Sequence, residues 1–250
     1  MSAKSPGDSR PVGFFDSGVG GRCIEREFLR LCPHERTVYL ADSAHCPYGN
    51  RPAEEIVRLS EANVRRLLAA DCKLIVVACN TATAAAIDVL RANHPEVPFV
   101  GLEPAVKPAA LRSRSGVVAV LATQGTFGGR LYRETCRRFA RGVTVIATVA
   151  DEFVTLVEEL GGADVTRLDA ETASRVERVV RAKIEPLLAA GADYVVLGCT
   201  HFPHLRPVIE RIAAGRATVL DSSEAVARQV RRVLRERGLL NLEAEAKEER

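Results

Sequence analysis

At 250 residues, 47% hydrophobic and 27% charged, the chain has the balance of a soluble globular protein, large enough for two lobes with real cores. Its 35 Lys and Arg against 32 Asp and Glu leave a net charge of +3. The basic residues interleave with acids along helices, as in "RVERVVRAKIE" at 175–185, which argues against a nucleic-acid surface. No apolar run approaches the roughly 20 residues of a membrane span. The opening "MSAKSPGDSRP" has no apolar signal core and reads as a disordered tail over 1–11. Seven cysteines, an odd number without any C-x-x-C pair, point to reduced thiols in a cytoplasm and away from zinc ribbons.

Predicted strands follow one another as "PVGFFD", "TVYLAD", "KLIVVAC", "VPFVGLE", "GVVAVLAT", "VTVIATV", "DYVVLGC" and "ATVLDS". Amphipathic segments such as "PAEEIVRLSEANVRRLLAAD" and "TASRVERVVRAKIEPLLAAG" separate them. Continuous apolar strands alternating with helices imply parallel sheets covered on both faces. The fold class is α/β.

The chain also echoes itself. "LLAADCKLIVVAC" (67–79) and "LLAAGADYVVLGC" (187–199) align without gaps at an offset of 120, each strand ending on a cysteine. A weaker echo pairs "DSGVGG" (16–21) with "TQGTFG" (123–128). Such repetition predicts two pseudo-symmetric lobes, each a three-layer αβα domain around a parallel sheet. "GLEPAVKP" (101–108) reads as the crossing, with a return near Gly215. The first lobe is then 12–103 plus 217–240, the second 104–216, and 241–250 a charged tail.

Open α/β sheets bind ligands at the carboxyl ends of their strands. Four predicted ends carry polar or reactive groups: Asp16-Ser17-Gly18, Cys79-Asn80-Thr81, Thr123-Gln124-Gly125-Thr126 and Cys199-Thr200-His201. Facing lobes would bring two thiols to opposite sides of one cleft. A helix N-terminus lowers a thiol pKa from about 8.5 and so predicts thiolate at neutral pH. Ser17, Asn80, Thr81 and Thr200 suit a small carboxylate, whose charge helix starts favour. Two thiols across a small cleft suit taking a proton from one face of a carbon and returning one to the other.

Competing motifs fail on spacing. In "GFFDSGVGGRC" the third glycine of a dinucleotide fingerprint falls on Cys23. "CTHFPHLR" puts six residues between Cys199 and Arg206, one too many for a tyrosine-phosphatase loop. The other histidines (34, 45, 94, 204) show no metal-ligand spacing. Lys73 opens its strand at the wrong end for a Schiff base, and Lys107 has no supporting motif. Taken singly, Asp16 reads as a turn residue, His201 as structural, Gly18–Gly21 as packing and Glu158 as a solvated helix position. Cys23, Cys32, Cys46, Cys72 and Cys136 read as structural. The paired context of Cys79 and Cys199 outweighs their individual readings.

With "FFDSGVGG" (14–21), "YLADSAHCPYG" (39–49), "CNTAT" (79–83), "LEPA" (102–105), "LATQGT" (121–126), "LGCTHFPHLRPVI" (197–209) and "DSSEAVA" (221–227), the chain resembles the glutamate racemases of the cofactor-independent aspartate/glutamate racemase superfamily. The resemblance implies that Cys79 takes the α-proton of D-glutamate and Cys199 that of L-glutamate. It implies that Asp16 assists Cys79, and that His201 with Glu158 assists Cys199. By the same resemblance Asp16, Ser17, Pro47, Tyr48, Gly49, Asn80, Thr81, Thr123, Thr126 and Thr200 hold substrate. No cofactor and no metal are implied, and a homodimer supplying D-glutamate for peptidoglycan is. Arg22-Cys23, Gly128-Gly129-Arg130 and Ala150-Asp151 depart from the family pattern. The alternatives are a racemase of another amino acid such as aspartate, a Cys–His hydrolase using Cys199 and His201, and a two-lobed amino-acid-binding protein. The last two leave Cys79 without a task.

Overall fold

The computed structural model describes residues 7–241. Most of the predicted N-terminal tail, and all of the charged C-terminal tail but Asn241, lie outside the described residues. The first sheet takes β1 (Val12–Asp16), β2 (Thr37–Ala41), β3 (Leu74–Val77) and β4 (Phe99–Val100) in the order β2-β1-β3-β4, all parallel. Helices α1 (Arg22–Leu31), α2 (Ala53–Ala69) and α3 (Asn80–Asn93) lie between these strands in sequence. Helix α4 (Val106–Arg112) then leads to β5 (Val117–Ala122), α5 (Gln124–Phe127), α6 (Arg130–Phe139), β6 (Thr144–Val149) and α7 (Asp151–Glu159). The chain continues through α8 (Ala170–Ala189), β7 (Tyr194–Leu197), α9 (Arg206–Ala213), β8 (Thr218–Leu220) and α10 (Ser223–Glu236). The second sheet, β6-β5-β7-β8, is parallel throughout and repeats the order of the first.

The period of two along each strand divides the apolar side chains between two helical layers. Phe14 and Val76 face Phe28 of α1 and Val230 of α10, while Phe15, Ile75 and Val77 face Leu67 of α2 and Ile87 of α3. In the second lobe Leu121, Val195 and Leu197 join Phe153 of α7, Val180 of α8 and Ile209 of α9. Val118, Val120 and Val196 face Val106 and Ala109 of α4. Each lobe is therefore a three-layer αβα sandwich. The equivalent strands β3 and β7 are the ones that the 120-residue echo aligns.

One predicted boundary needs correcting. The sequence places the stretch from 217 onward in the first lobe, yet β8 pairs with β7 through Thr218, Val219 and Leu220. Val219 is buried with the second-lobe core, where it covers what would otherwise be an open apolar edge of β7. The chain returns after β8, at Asp221–Ser222. Helix α10 then buries Val226, Ala227, Val230 and Leu234 against the first sheet. Among the described residues no helix is long and apolar enough to cross a membrane.

Candidate active site

Parallel pairing puts the carboxyl ends of β1, β3, β5 and β7 on corresponding edges of the two sheets, and the lobes meet there. Strand β1 ends on Asp16, which is fully buried. Its Oδ1 accepts the Ser17 N–H at 2.8 Å, and its Oδ2 accepts the Gly21 N–H at 2.7 Å. The Thr200 hydroxyl, from the other lobe, donates to Oδ2 at 3.3 Å. Burial raises the pKa of Asp16, against the opposing pull of His201 and these backbone donors.

Cys79 is the N-cap of α3, and its Sγ accepts the Ala82 N–H at 3.4 Å and donates to Ser17 Oγ at 3.7 Å. The helix-terminus argument predicts a depressed thiol pKa here. Burial overrides it: desolvation, reinforced by the Asp16 carboxylate, pushes Cys79 up to about 12. Cys199 is raised as well, by burial first and then by the charges of Cys79, Asp16 and Cys46. Both shifts favour the protonated thiol at neutral pH.

Around Cys199 a relay runs back to the first lobe. The sulfur lies 3.7 Å from His201 Nδ1, and His201 Nε2 lies 2.5 Å from Glu158 Oε1. That same oxygen accepts the Val19 N–H at 2.9 Å. Burial alone would raise the Glu158 pKa, but the bonds from His201 and Val19 outweigh it and hold the carboxylate low. Two glycines make this approach possible. A Cβ on Gly18 would sit 2.0 Å from Glu158 Oε1, and one on Gly20 would sit 2.7 Å from the backbone of Thr200 and His201.

Of the remaining predicted residues, Gly49, Thr81, Thr123 and Thr126 meet at the same junction, whereas Pro47 is exposed. Thr81 and Thr123 exchange a hydroxyl hydrogen bond across the lobes at 2.8 Å, and Thr123 continues to Thr126 at 3.0 Å. Gly125 N–H donates to the Gly49 carbonyl at 3.1 Å. Tyr48 directs its hydroxyl away, onto Asp42 Oδ2 at 2.5 Å, and so fixes the loop that carries Pro47 and Gly49. The buried Asn80 Oδ1 has no donor among the described residues. Cys79, Cys199 and His201 are 4%, 8% and 1% exposed, enclosed where the two lobes meet.

The two lysines weighed for Schiff-base chemistry are engaged elsewhere. Lys73 forms a buried 2.7 Å ion pair with Glu35 at the amino end of β3, and Lys107 lies over the Phe139 ring. Cys23, Cys32 and Cys72 are core thiols, and Cys23 also donates to the Thr200 carbonyl at 3.7 Å.

Three positions at the junction escaped the sequence reading of the site. Asp42 anchors Tyr48. Asp151, at the start of α7, keeps Oδ1 buried without a partner close to Gly49. Cys46, read as structural, is half-buried beside Glu158 and His201. A usable signal existed for Asp42 and Asp151, which stand at the carboxyl ends of β2 and β6.

The sequence profile of the Asp/Glu/Hydantoin racemase family matches residues 22–230. A glutamate racemase of Roseiflexus sp. (strain RS-1) is 47% identical over 93% of this chain and 82% of its own length. The Escherichia coli glutamate racemase, solved with L-glutamate and the activator UDP-MurNAc-ala, superposes with a TM-score of 0.78 at 32% identity, over 90% of this chain and 83% of that one. The Francisella tularensis glutamate racemase, solved with D-glutamate, gives 0.76 at 27% identity, over 94% and 84%. A family match over most of the chain, carried by a twinned αβα fold with a thiol at each equivalent strand end, makes this chain a member of the Asp/Glu/hydantoin racemase family.

Proposed function

We propose that this protein interconverts L- and D-glutamate by moving the α-proton between two thiols, and so supplies D-glutamate for peptidoglycan. One observation carries the reading above the others: two buried thiols at equivalent strand ends, Cys79 beside the Asp16 carboxylate and Cys199 3.7 Å from His201 Nδ1. Cys79 abstracts the α-proton of D-glutamate while the Cys199 thiol protonates the opposite face; for L-glutamate the roles reverse. Asp16 serves the Cys79 side. His201, steadied by Glu158, takes the Cys199 proton at Nδ1 and returns it.

An α-proton is a far weaker acid than a thiol, so the site must stabilise the developing carbanion and hold the Cα–H bond on line with sulfur. Ser17, Asn80, Thr81, Thr123, Thr126 and Thr200 supply the polar contacts, and Pro47, Tyr48 and Gly49 shape the wall. The unpartnered Asn80 Oδ1 suits a substrate N–H. The bound ammonium supplies the positive charge that a buried thiolate needs.

We place the enzyme in the cytoplasm as a homodimer that uses no cofactor; sedimentation at twice the 27.1 kDa chain mass tests the dimer. The direct test of the reaction is polarimetry. EDTA-treated protein, free of pyridoxal phosphate, should abolish the optical rotation of pure L-glutamate and leave that of L-aspartate nearly unchanged. A rotation lost only after pyridoxal phosphate or a metal is added contradicts the reading, and a faster loss with aspartate reassigns the substrate.

A further inference from the structure

The thiol of Cys46, the carboxylate of Glu158 and the imidazole of His201 offer ligand atoms that all lie within 4.8 Å of one another. They come from three separate segments: the loop after β2, helix α7 and the turn after β7. No sequence spacing announces the set, because two lobes must meet to assemble it. We propose that Cys46, Glu158 and His201 form an inhibitory site for a borderline-soft divalent cation of the Zn²⁺ type.

The donor set fits such an ion. Thiolate, imidazole and carboxylate are the three zinc ligands, and three protein ligands leave one coordination position for water. Calcium and magnesium prefer all-oxygen sites and are poorly served here. Glu158 is held in place by the Val19 N–H, and Gly18 leaves the space into which both Glu158 and Cys46 Sγ project. His201 is buried, whereas Cys46 and Glu158 are only partly so and give the ion its path inward.

Binding breaks the hydrogen bonds that Glu158 makes with His201 and with Cys46, and moves two protons. The 2.5 Å contact between His201 Nε2 and Glu158 is replaced by two bonds to the metal. The Cys46 S–H bond breaks, its proton goes to solvent, and its electron pair goes to the metal. On His201 the proton shifts from Nε2 to Nδ1. Nδ1, 3.7 Å from Cys199 Sγ, then donates where it had accepted. Cys199 loses its proton acceptor, and the ion ties the first-lobe loop to the second lobe. The inhibition, though not the binding, rests on the role of His201 proposed above.

The experiment uses the metal-free full-length enzyme with one equivalent of Zn²⁺, and separately of Co²⁺. After gel filtration the wild-type protein should retain one metal ion per chain, and the Co²⁺ form should show a sulfur-to-cobalt charge-transfer band. Zinc should abolish racemisation, and EDTA should restore it. Cys46→Ala and Cys46→Ser should lose the cobalt band and need at least about tenfold more Zn²⁺ to halve the turnover each variant shows without metal. Undiminished zinc sensitivity and an unchanged cobalt band in both variants would put the metal on Cys79 and Cys199 and overturn the proposal. So would a wild-type protein that retains no metal, or one that retains it and stays active. Metal content and the cobalt band read binding without any activity, so a failure of the racemase assignment remains distinguishable from a failure of this one.

Discussion

Cys79 caps a helix and still has its pKa pushed up to about 12, since the cost of burying a thiolate beside Asp16 exceeds what the Ala82 N–H and the helix start return. Alkylation follows from the sign of that shift. A raised thiol pKa leaves the neutral form in excess at neutral pH, so the thiolate fraction grows with every added unit of pH. Iodoacetamide labelling of Cys79 and Cys199, read by peptide mass spectrometry, should therefore speed up about tenfold per pH unit between about pH 7 and 9. A rate already flat across that range would mean a depressed pKa and would restore the helix-terminus expectation. Asp16 belongs to the same scale. A carboxylate cannot raise the thiolate content of its neighbour, because like charges repel, so the role proposed for it is as a proton acceptor or an ammonium partner. Asp16→Asn should lower turnover by about 10²-fold or more. A near-wild-type rate would return Asp16 to an architectural role, as the acceptor for Ser17 and Gly21 at the end of β1.

At the scale of elements, the apolar strands and their polar ends were legible because both are local. "KLIVVAC" and "DYVVLGC" announced β3 and β7, and their common offset announced the second lobe. Two things were not legible. The short "TVL" of β8 has no periodicity to say which sheet it joins, and only its packing on β7 decides that. The contact of Val19 with Glu158 spans 139 residues, and nothing in either segment points to the other. Glu158 entered the site by resemblance alone, and Cys46 did not enter it at all.

The loop between β1 and α1 also yields a test. A Cβ at Gly20 meets backbone on the opposite lobe at 2.7 Å, and backbone cannot swing aside as a long side chain can. Gly20→Ala should therefore hold the lobes apart and lower kcat/KM by about 10²-fold, the cost of a misplacement near 1 Å. The Gly128→Ala variant, whose Cβ meets only a carbonyl at 3.6 Å, should behave like wild type. Equal activity of the two variants would mean that the closed junction is not the reacting state.

On the scale of the whole molecule, the twinned lobes explain why one protein should carry a thiol on each side of a substrate. Each αβα unit presents the same strand end, and facing them generates two acid–base groups of opposite approach from one repeated design. Burial at the junction keeps bulk water from both thiols, and in the proposed reaction the proton on each sulfur is then the one delivered. With one thiol per face, the base that takes the α-proton is not the acid that returns one. The measurement that bears on this most directly is the early fate of deuterium when enzyme equilibrated in D₂O meets protiated L-glutamate. The D-glutamate first formed should carry deuterium at Cα, while the unreacted L-glutamate remains protiated. Protium carried over into D-glutamate, or deuterium appearing in both pools from the outset, would mean a single shared base and would contradict the two-thiol account.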